Sequence, residues 1–279
     1  MTILWQVNET ENCTIKWGYD TFYSLYSVKT TEYGIDHQHS YTIKNLKPQT
    51  KYYYNVIVKN TDHTGSFYTA PKPTTKKVAF IVYGDTRSFP TIHNSMAGSI
   101  VSTYTADPAF QTFVLLTGDT VEYGADESNW DKELFGPANT NLRQMMRNLP
   151  FLTCVGSHEM FKKTGRKAIK INYSLFKKYF PYPFEQGTYW SFDYGPAHFV
   201  IVDNYLKYSN LKSLKESSKQ MQLAWIKKDL AATEKHWKFV ILHKPGWSAG
   251  GDPGHSNYHE IQKSIQPLLV KFHVTALFT

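Results

Sequence analysis

What this chain has little of already narrows it. It carries only two cysteines, Cys13 and Cys154. They fall on opposite sides of a proline-rich break, and Cys154 sits in an apolar run, so buried free thiols are expected and not a disulfide. No apolar stretch approaches the roughly 20 residues that span a bilayer, so no transmembrane segment is expected. The opening residues MTILWQVNETENC show neither a basic n-region nor an apolar h-region, so no signal peptide is visible. Internal repeats and low-complexity tracts are absent from the sequence. The net charge of +8 is spread over scattered lysines and is not gathered into a stripe. That distribution, with no recognised module, excludes the usual nucleic-acid binders. It reads as a solubilising surface, and its field would also steer anionic substrates.

Length and composition are those of a globular protein. With 279 residues, 41% of them apolar and 19% charged, the chain suffices for one large domain or two ordinary ones. Aromatic residues reach 16%, including 20 Tyr, which favours a β-rich part. APKPTTKK marks a break, and the prolines with Thr and Lys around them place a linker at residues 72–77. Residues 1–71 read as an all-β unit. YTIKNLKPQTKYYYNVIV alternates with period two, through Ile43 and Leu46 before a turn and Tyr52, Tyr54, Val56 and Val58 after it. Its Leu-x-Pro-x-Thr-x-Tyr-x-Tyr run resembles the E–F corner of fibronectin type III sandwiches, where a Tyr hydroxyl folds back onto nearby backbone. Tyr52 or Tyr54 would take that part. A complete seven-stranded sandwich is longer, so this one is expected to lack a strand or two.

Residues 78–279 change to alternating strands and helices, the pattern of an α/β layered domain. Strands are expected at 78–83, 112–117, 151–155, 189–194, 197–202, 237–242 and 273–278. Helices are expected at 91–105, 127–134, 139–148, 171–179, 218–233 and 258–271. Gly195-Pro196 joins two of the strands as a hairpin.

Four of these strands end in residues that carry chemistry. VAFIVYGD ends at Asp85 and QTFVLLTGD at Asp119; GSHE supplies His158 and VILHKPGW supplies His243. In an open α/β sheet, ligands bind at the carboxyl ends of the strands. Each aspartate alone could cap the next helix. Two Gly-Asp pairs beside strand-end histidines point to a metal site instead. His243, as neutral imidazole, suits Zn or Fe. His158 reads either as a proton donor to a leaving oxygen or as a helix-start residue bonded to Glu159. Arg87 reads either as a bidentate phosphate ligand or as the ion-pair partner of Asp107 or Glu122. In the Gly-rich loop GGDPGHSNYHE, His255 is the better ligand candidate and His259 is expected to face solvent.

The series GDTR, GDTVEYG, GSHE, VILHKPGW resembles the metallophosphoesterases, or calcineurin-like phosphoesterases. The leading β-sandwich makes it most similar to the purple acid phosphatase branch. The resemblance implies an α/β double β-sandwich flanked by helices, behind a small fibronectin III-like unit. It implies a dinuclear centre of two divalent or trivalent ions (Fe, Zn or Mn) that hydrolyses a small phosphate ester by way of metal-bound hydroxide, and an extracellular, periplasmic or cell-surface location. By the same resemblance Asp85 holds the first metal, Asp119 bridges both and His243 holds the second. His158 is the general acid, and His255 matches a loop histidine that in some relatives faces the substrate. Arg87 is a phosphate candidate by its own chemistry and not by the resemblance. Several positions depart from the family's pattern. Ser157 stands where an Asn ligand is usual and would ligate weakly. Glu122 stands where the purple branch has its colour-giving Tyr, so no purple chromophore is expected. Arg87 stands where many members have His. The closing Gly-His-x-His would begin where HVTALFT stops, so a C-terminally truncated domain with weak metal binding is expected. The alternative reading is a catalytically impaired relative that binds a ligand or partner.

Overall fold

The computed structural model describes residues 1–34, 36–164, 167–170, 173–205, 212–250 and 256–279. The first six strands are β1 (Thr2–Gln6), β2 (Cys13–Gly18), β3 (Tyr26–Thr30), β4 (Gln38–Thr42), β5 (Lys51–Val58) and β6 (Thr61–Tyr68). They form a two-stranded sheet, β1-β4, and an antiparallel four-stranded sheet, β3-β2-β5-β6. The alternation read along β5 is realised. Tyr52, Tyr54 and Val56 point inward with Ile15, Trp17, Ile43 and Phe67, all buried. Of the two corner candidates, Tyr52 folds back: its hydroxyl accepts from the Lys47 amide at 3.0 Å. Tyr54 instead donates to the Arg147 carbonyl at 2.9 Å, tying these strands to the α/β part of the chain.

Beyond residue 80 come β7 (Ile81–Tyr83), β8 (Val114–Leu116) and β9 (Phe151–Thr153), which make a parallel sheet. Next is a hairpin, β10 (Phe161–Thr164) with β11 (Lys167–Lys170). Then β12 (Trp190–Tyr194), β13 (Ala197–Ile201), β14 (Trp237–Ile241) and β15 (Ala276–Phe278) form a mixed sheet in that order. β12 and β13 are the expected hairpin, Tyr194 opposite Ala197, with Gly195 at φ +58 in the turn. The two sheets face each other through Phe113, Leu115, Trp190, Phe199, Phe239 and Ile241. Helices α1 (Pro90–Ala106), α2 (Glu127–Trp130), α3 (Thr140–Asn148) and α4 (Ser174–Tyr179) precede the long α5 (Lys212–Ala232) and α6 (Gln266–Lys271). α1, α3 and α4 cover the outer face of the first sheet through Ala97, Val101, Leu142, Met145 and Phe176. α5 covers that of the second through Ile226 and Leu230, which share one helical face. The result is four layers, helix–sheet–sheet–helix, as expected. Both cysteines are free and buried. Among the described residues no helix is long and apolar enough to cross a membrane.

The differences from expectation have local causes. The strand expected at 78–83 pairs only from Ile81, opposite Val114. Phe80 instead inserts between the sheets, stacked on Phe113 at 5.5 Å and edge-on to Phe199 at 5.0 Å. The helix expected at 127–134 passes after Trp130 into a π-turn, Asp131–Phe135, closed by Gly136 N–H on the Asp131 carbonyl at 2.5 Å. The helix expected at 258–271 is likewise split, into a π-turn Ile261–Ile265 and α6, whose Pro267 lacks the N–H that a continuous ladder requires.

Candidate metal centre

The carboxyl ends of β7, β8, β9, β13 and β14 meet at one rim, so the site is built from both sheets. Asp85 lies two residues past β7, Asp119 three past β8 and His243 two past β14. One ligand atom from each of these three residues fits within a mutual distance of 4.8 Å. Asp119 is buried, His243 half-buried and Asp85 exposed. The turns that deliver the carboxylates are unusual: the aspartates themselves adopt left-handed backbone, with φ +53 at Asp85 and φ +52 at Asp119. The neighbouring glycines serve close approach. A Cβ on Gly118, itself at φ +90, would lie 2.7 Å from the Gly156 nitrogen and 3.1 Å from His243 Nδ1, and one on Gly156 would lie 2.1 Å from Asp119 Oδ1. Glycine there lets the strand ends close on one another.

Asp119 is the hub. Its Oδ1 accepts from the His158 amide at 2.9 Å and lies 3.5 Å from Ser157 Oγ. Its Oδ2 accepts from Arg87 Nε at 3.1 Å and faces His243 Nε2 at 3.3 Å. Burial opposes its charge, but the bond to His243, that residue's charge and the His158 amide outweigh it and hold the carboxyl well below the usual range. The opposite holds for His243. Burial works against its charged form, and contact with Asp119 pushes its pKa up to about 9. His243 Nδ1 lies 2.8 Å from the Thr117 carbonyl and must donate to it. In the neutral ring Nε2 then presents a lone pair to Asp119 Oδ2. Two lone pairs at that separation repel unless positive charge lies between them, as a proton or as a metal ion. With Asp85 alongside, this nitrogen and two carboxylates are the donor set of a Zn, Mn or Fe site, and the backbone bond at Nδ1 is the outer contact that fixes a ligating histidine.

His158 reaches the same rim. Its Nδ1 donates to the Glu122 carbonyl at 2.7 Å and leaves Nε2 directed at Asp119 Oδ2, 4.0 Å away. Glu159 is not its partner. That carboxylate is fully buried and accepts from three amides, Asp119 at 3.1 Å, Thr120 at 2.6 Å and Gly156 at 2.7 Å. It knits the β8 and β9 turns together, and burial followed by the charge of Asp119 pushes its pKa up to about 7. Arg87 pairs with Glu122, Nη1 to Oε2 at 3.2 Å, and with Asp119. Asp107, its other candidate partner, caps the turn after α1 by accepting from the Ala109 amide. Ser157 stays against Asp119. His259 is exposed, as expected, and bonds Gln262 at 2.9 Å. His255 lies outside the described residues.

One residue has no signature in the sequence. Asn204, just past β13, accepts from the amides of His243 and Lys244, each at 2.9 Å. An Asn cap between neighbouring strand ends leaves no periodic signal; only the parallel pairing of β13 with β14 brings the two together.

The scan against protein families matches residues 98–279 to the calcineurin-like phosphoesterases, and the chain belongs to that family. Among curated relatives it is 24% identical over 254 residues to a purple acid phosphatase of Glycine max, covering 86% of this chain and 50% of that protein. It is 27% identical over 228 residues to the tartrate-resistant acid phosphatase type 5 of Sus scrofa, covering 75% and 64%. The solved structure of a purple acid phosphatase from yellow lupin (Lupinus luteus) seeds superposes with TM-score 0.71 at 17% identity, over 99% of this chain and 55% of that one, and shares the fold. The chain spans about half the length of the first curated relatives it matches.

Proposed function

We propose that this protein is a metal-dependent phosphoesterase acting on small phosphate esters in the manner of an acid phosphatase. The observation that supports it most is the convergence of Asp85, Asp119 and His243 on one rim, within 4.8 Å. These three residues would hold the ion, and Ser157 would add at most a weak contact. A divalent or trivalent cation so placed supplies Lewis acidity toward a phosphoryl oxygen and lowers the pKa of a water. The remaining work falls to the chain. His158, its ring oriented by Nδ1–H on the Glu122 carbonyl, presents Nε2 beside Asp119, and as the imidazolium, with a proton on Nε2 as well, would protonate the leaving oxygen. The exposed Asp85 and half-buried His243 leave the rim open to a small substrate. Residues 1–71 would act as a fibronectin III-like support for the unit at 78–279.

The test is phosphate release from p-nitrophenyl phosphate with added Mn(II), Zn(II) or Fe. Turnover should vanish on chelation and return with metal. Asp119→Asn and His243→Ala should each lower kcat/KM by at least ~100-fold, and His158→Asn by roughly 10²–10⁴-fold. Absence of metal-dependent turnover with every ion would remove the proposal.

A further inference from the structure

We infer that the guanidinium of Arg87 fills the second cation position of this rim, so that the centre takes one divalent ion and not two. The inference rests on the metal reading above and goes beyond it. Arg87 is built into the site and does not hang over it. Its Nε lies 3.1 Å from Asp119 Oδ2 and its Nη1 3.2 Å from Glu122 Oε2. Its backbone amide donates to the Asp119 carbonyl at 3.1 Å, so the loop that carries it is fastened to the same turn. The second carboxylate is pinned as well: Ser88 Oγ bonds Glu122 Oε2, and the Glu122 amide donates to the buried Glu133 carboxylate at 2.8 Å.

To bridge two ions, a carboxylate must turn a free lone pair toward each. Asp119 Oδ1 already accepts the His158 amide at 2.9 Å, a donor the fold cannot withdraw, and Ser157 Oγ stands 3.5 Å away. Oδ2 accepts Arg87 and keeps one open direction, toward His243 Nε2 at 3.3 Å. One ion fits that direction, with Asp85 as its third ligand. Charge gives the same answer. Arg87 already returns a positive charge to both Asp119 and Glu122, so the rim offers less uncompensated negative charge to a second ion. A guanidinium keeps its proton and offers no lone pair, so it can stand in for an ion's charge but never ligate one.

Metal uptake decides this without reference to turnover. The protein is dialysed to equilibrium against excess Zn(II) or Mn(II), so that stoichiometry is read even where binding is weak, and the bound metal is measured by mass spectrometry, with Mn(II) also examined by EPR. We expect one equivalent per chain and the hyperfine pattern of an isolated Mn(II) ion. Arg87→His, which removes the guanidinium and supplies an imidazole, should take up a second equivalent and show an exchange-coupled pair. Arg87→Lys, which keeps the charge, should stay at one. Two equivalents in the unaltered protein would overturn the inference while leaving the metal reading intact. A single equivalent in Arg87→His as well would also overturn it, because the guanidinium would then not be what limits occupancy. No uptake at all would remove the metal reading and the inference with it.

Discussion

Asn204 holds His243 by its backbone: one side-chain oxygen receives both the His243 and the Lys244 amides at 2.9 Å. The ring is thereby fixed from two sides, since Nδ1 is bound to the Thr117 carbonyl. Asn204→Ala should weaken Zn(II) binding roughly 10–100-fold, the range found for outer contacts of metal ligands. Asn204→Asp keeps the accepting oxygen and should restore most of the affinity. Titration calorimetry on the three proteins checks the order, and equal affinities would remove Asn204 from the site.

His93 should make the fold sensitive to acid. It is buried on α1, with Nε2 bonded to the Tyr83 hydroxyl at 3.0 Å and Nδ1 without a partner among the described residues. Burial lowers its pKa from 6.5 to about 4. Between those values the unfolded chain binds a proton that the folded one refuses, so stability is lost as pH falls through that window. The loss is about 3 kcal/mol at most. Urea unfolding from pH 7 down to pH 4 should show this slope in the native protein and a flatter one in His93→Gln.

His198 should act in the opposite sense. It is buried between Asp193 on β12 and Asp229 on α5, each at 2.8 Å, with Lys235 3.3 Å from Asp193. Burial disfavours its charge, but the hydrogen bonds and charges of Asp229 and Asp193 prevail and raise its pKa above 6.5. Its contribution is fully present below that value and fades as pH rises through the folded pKa. The urea midpoint should therefore fall as pH rises above 6.5 in the native protein, and His198→Asn should abolish that part of the profile.

The contact between the N-terminal strands and α3 leaves no room at Gly65. A Cβ there would lie 2.3 Å from the Arg147 carbonyl oxygen and 2.5 Å from the Tyr54 hydroxyl. Gly65→Ala should break the Tyr54–Arg147 bond and destabilise the protein by about 1–3 kcal/mol, the usual effect of overpacking. Thermal or urea unfolding against the native protein checks it, and an unchanged midpoint would show that this junction yields freely.

The rim was legible from sequence because Gly-Asp at an abrupt strand end is a local signal that Asp85 and Asp119 both carry, and His243 closes an apolar run just as sharply. The layered fold was legible because strand and helix periods alternate cleanly after residue 80. What escaped depends on pairs of distant residues. Asn204 matters only because β13 and β14 run side by side. Glu159 looked like a companion of His158 and is instead the buried acceptor of three amides. Arg87 had several carboxylates within plausible reach, and only folding shows that Asp107 is spent on its own turn while Asp119 and Glu122 are not. The π-turns were invisible because an apolar period near 3.6 does not register a single wider turn.

Asp85 and Asp119 both hold backbone angles that suit glycine better, at an expense on the order of 1 kcal/mol apiece. Exchanging the exposed Asp85 for glycine would relax its turn and at the same stroke delete a carboxylate. The buried Asp119 is instead held in place by the His158 amide and Arg87, whose loss would cost more than the turn regains. Selection for thermal robustness alone would thus erode the rim at position 85 first, so a search for hardier variants of this protein should follow that one acid, whose most comfortable replacement is also the emptiest.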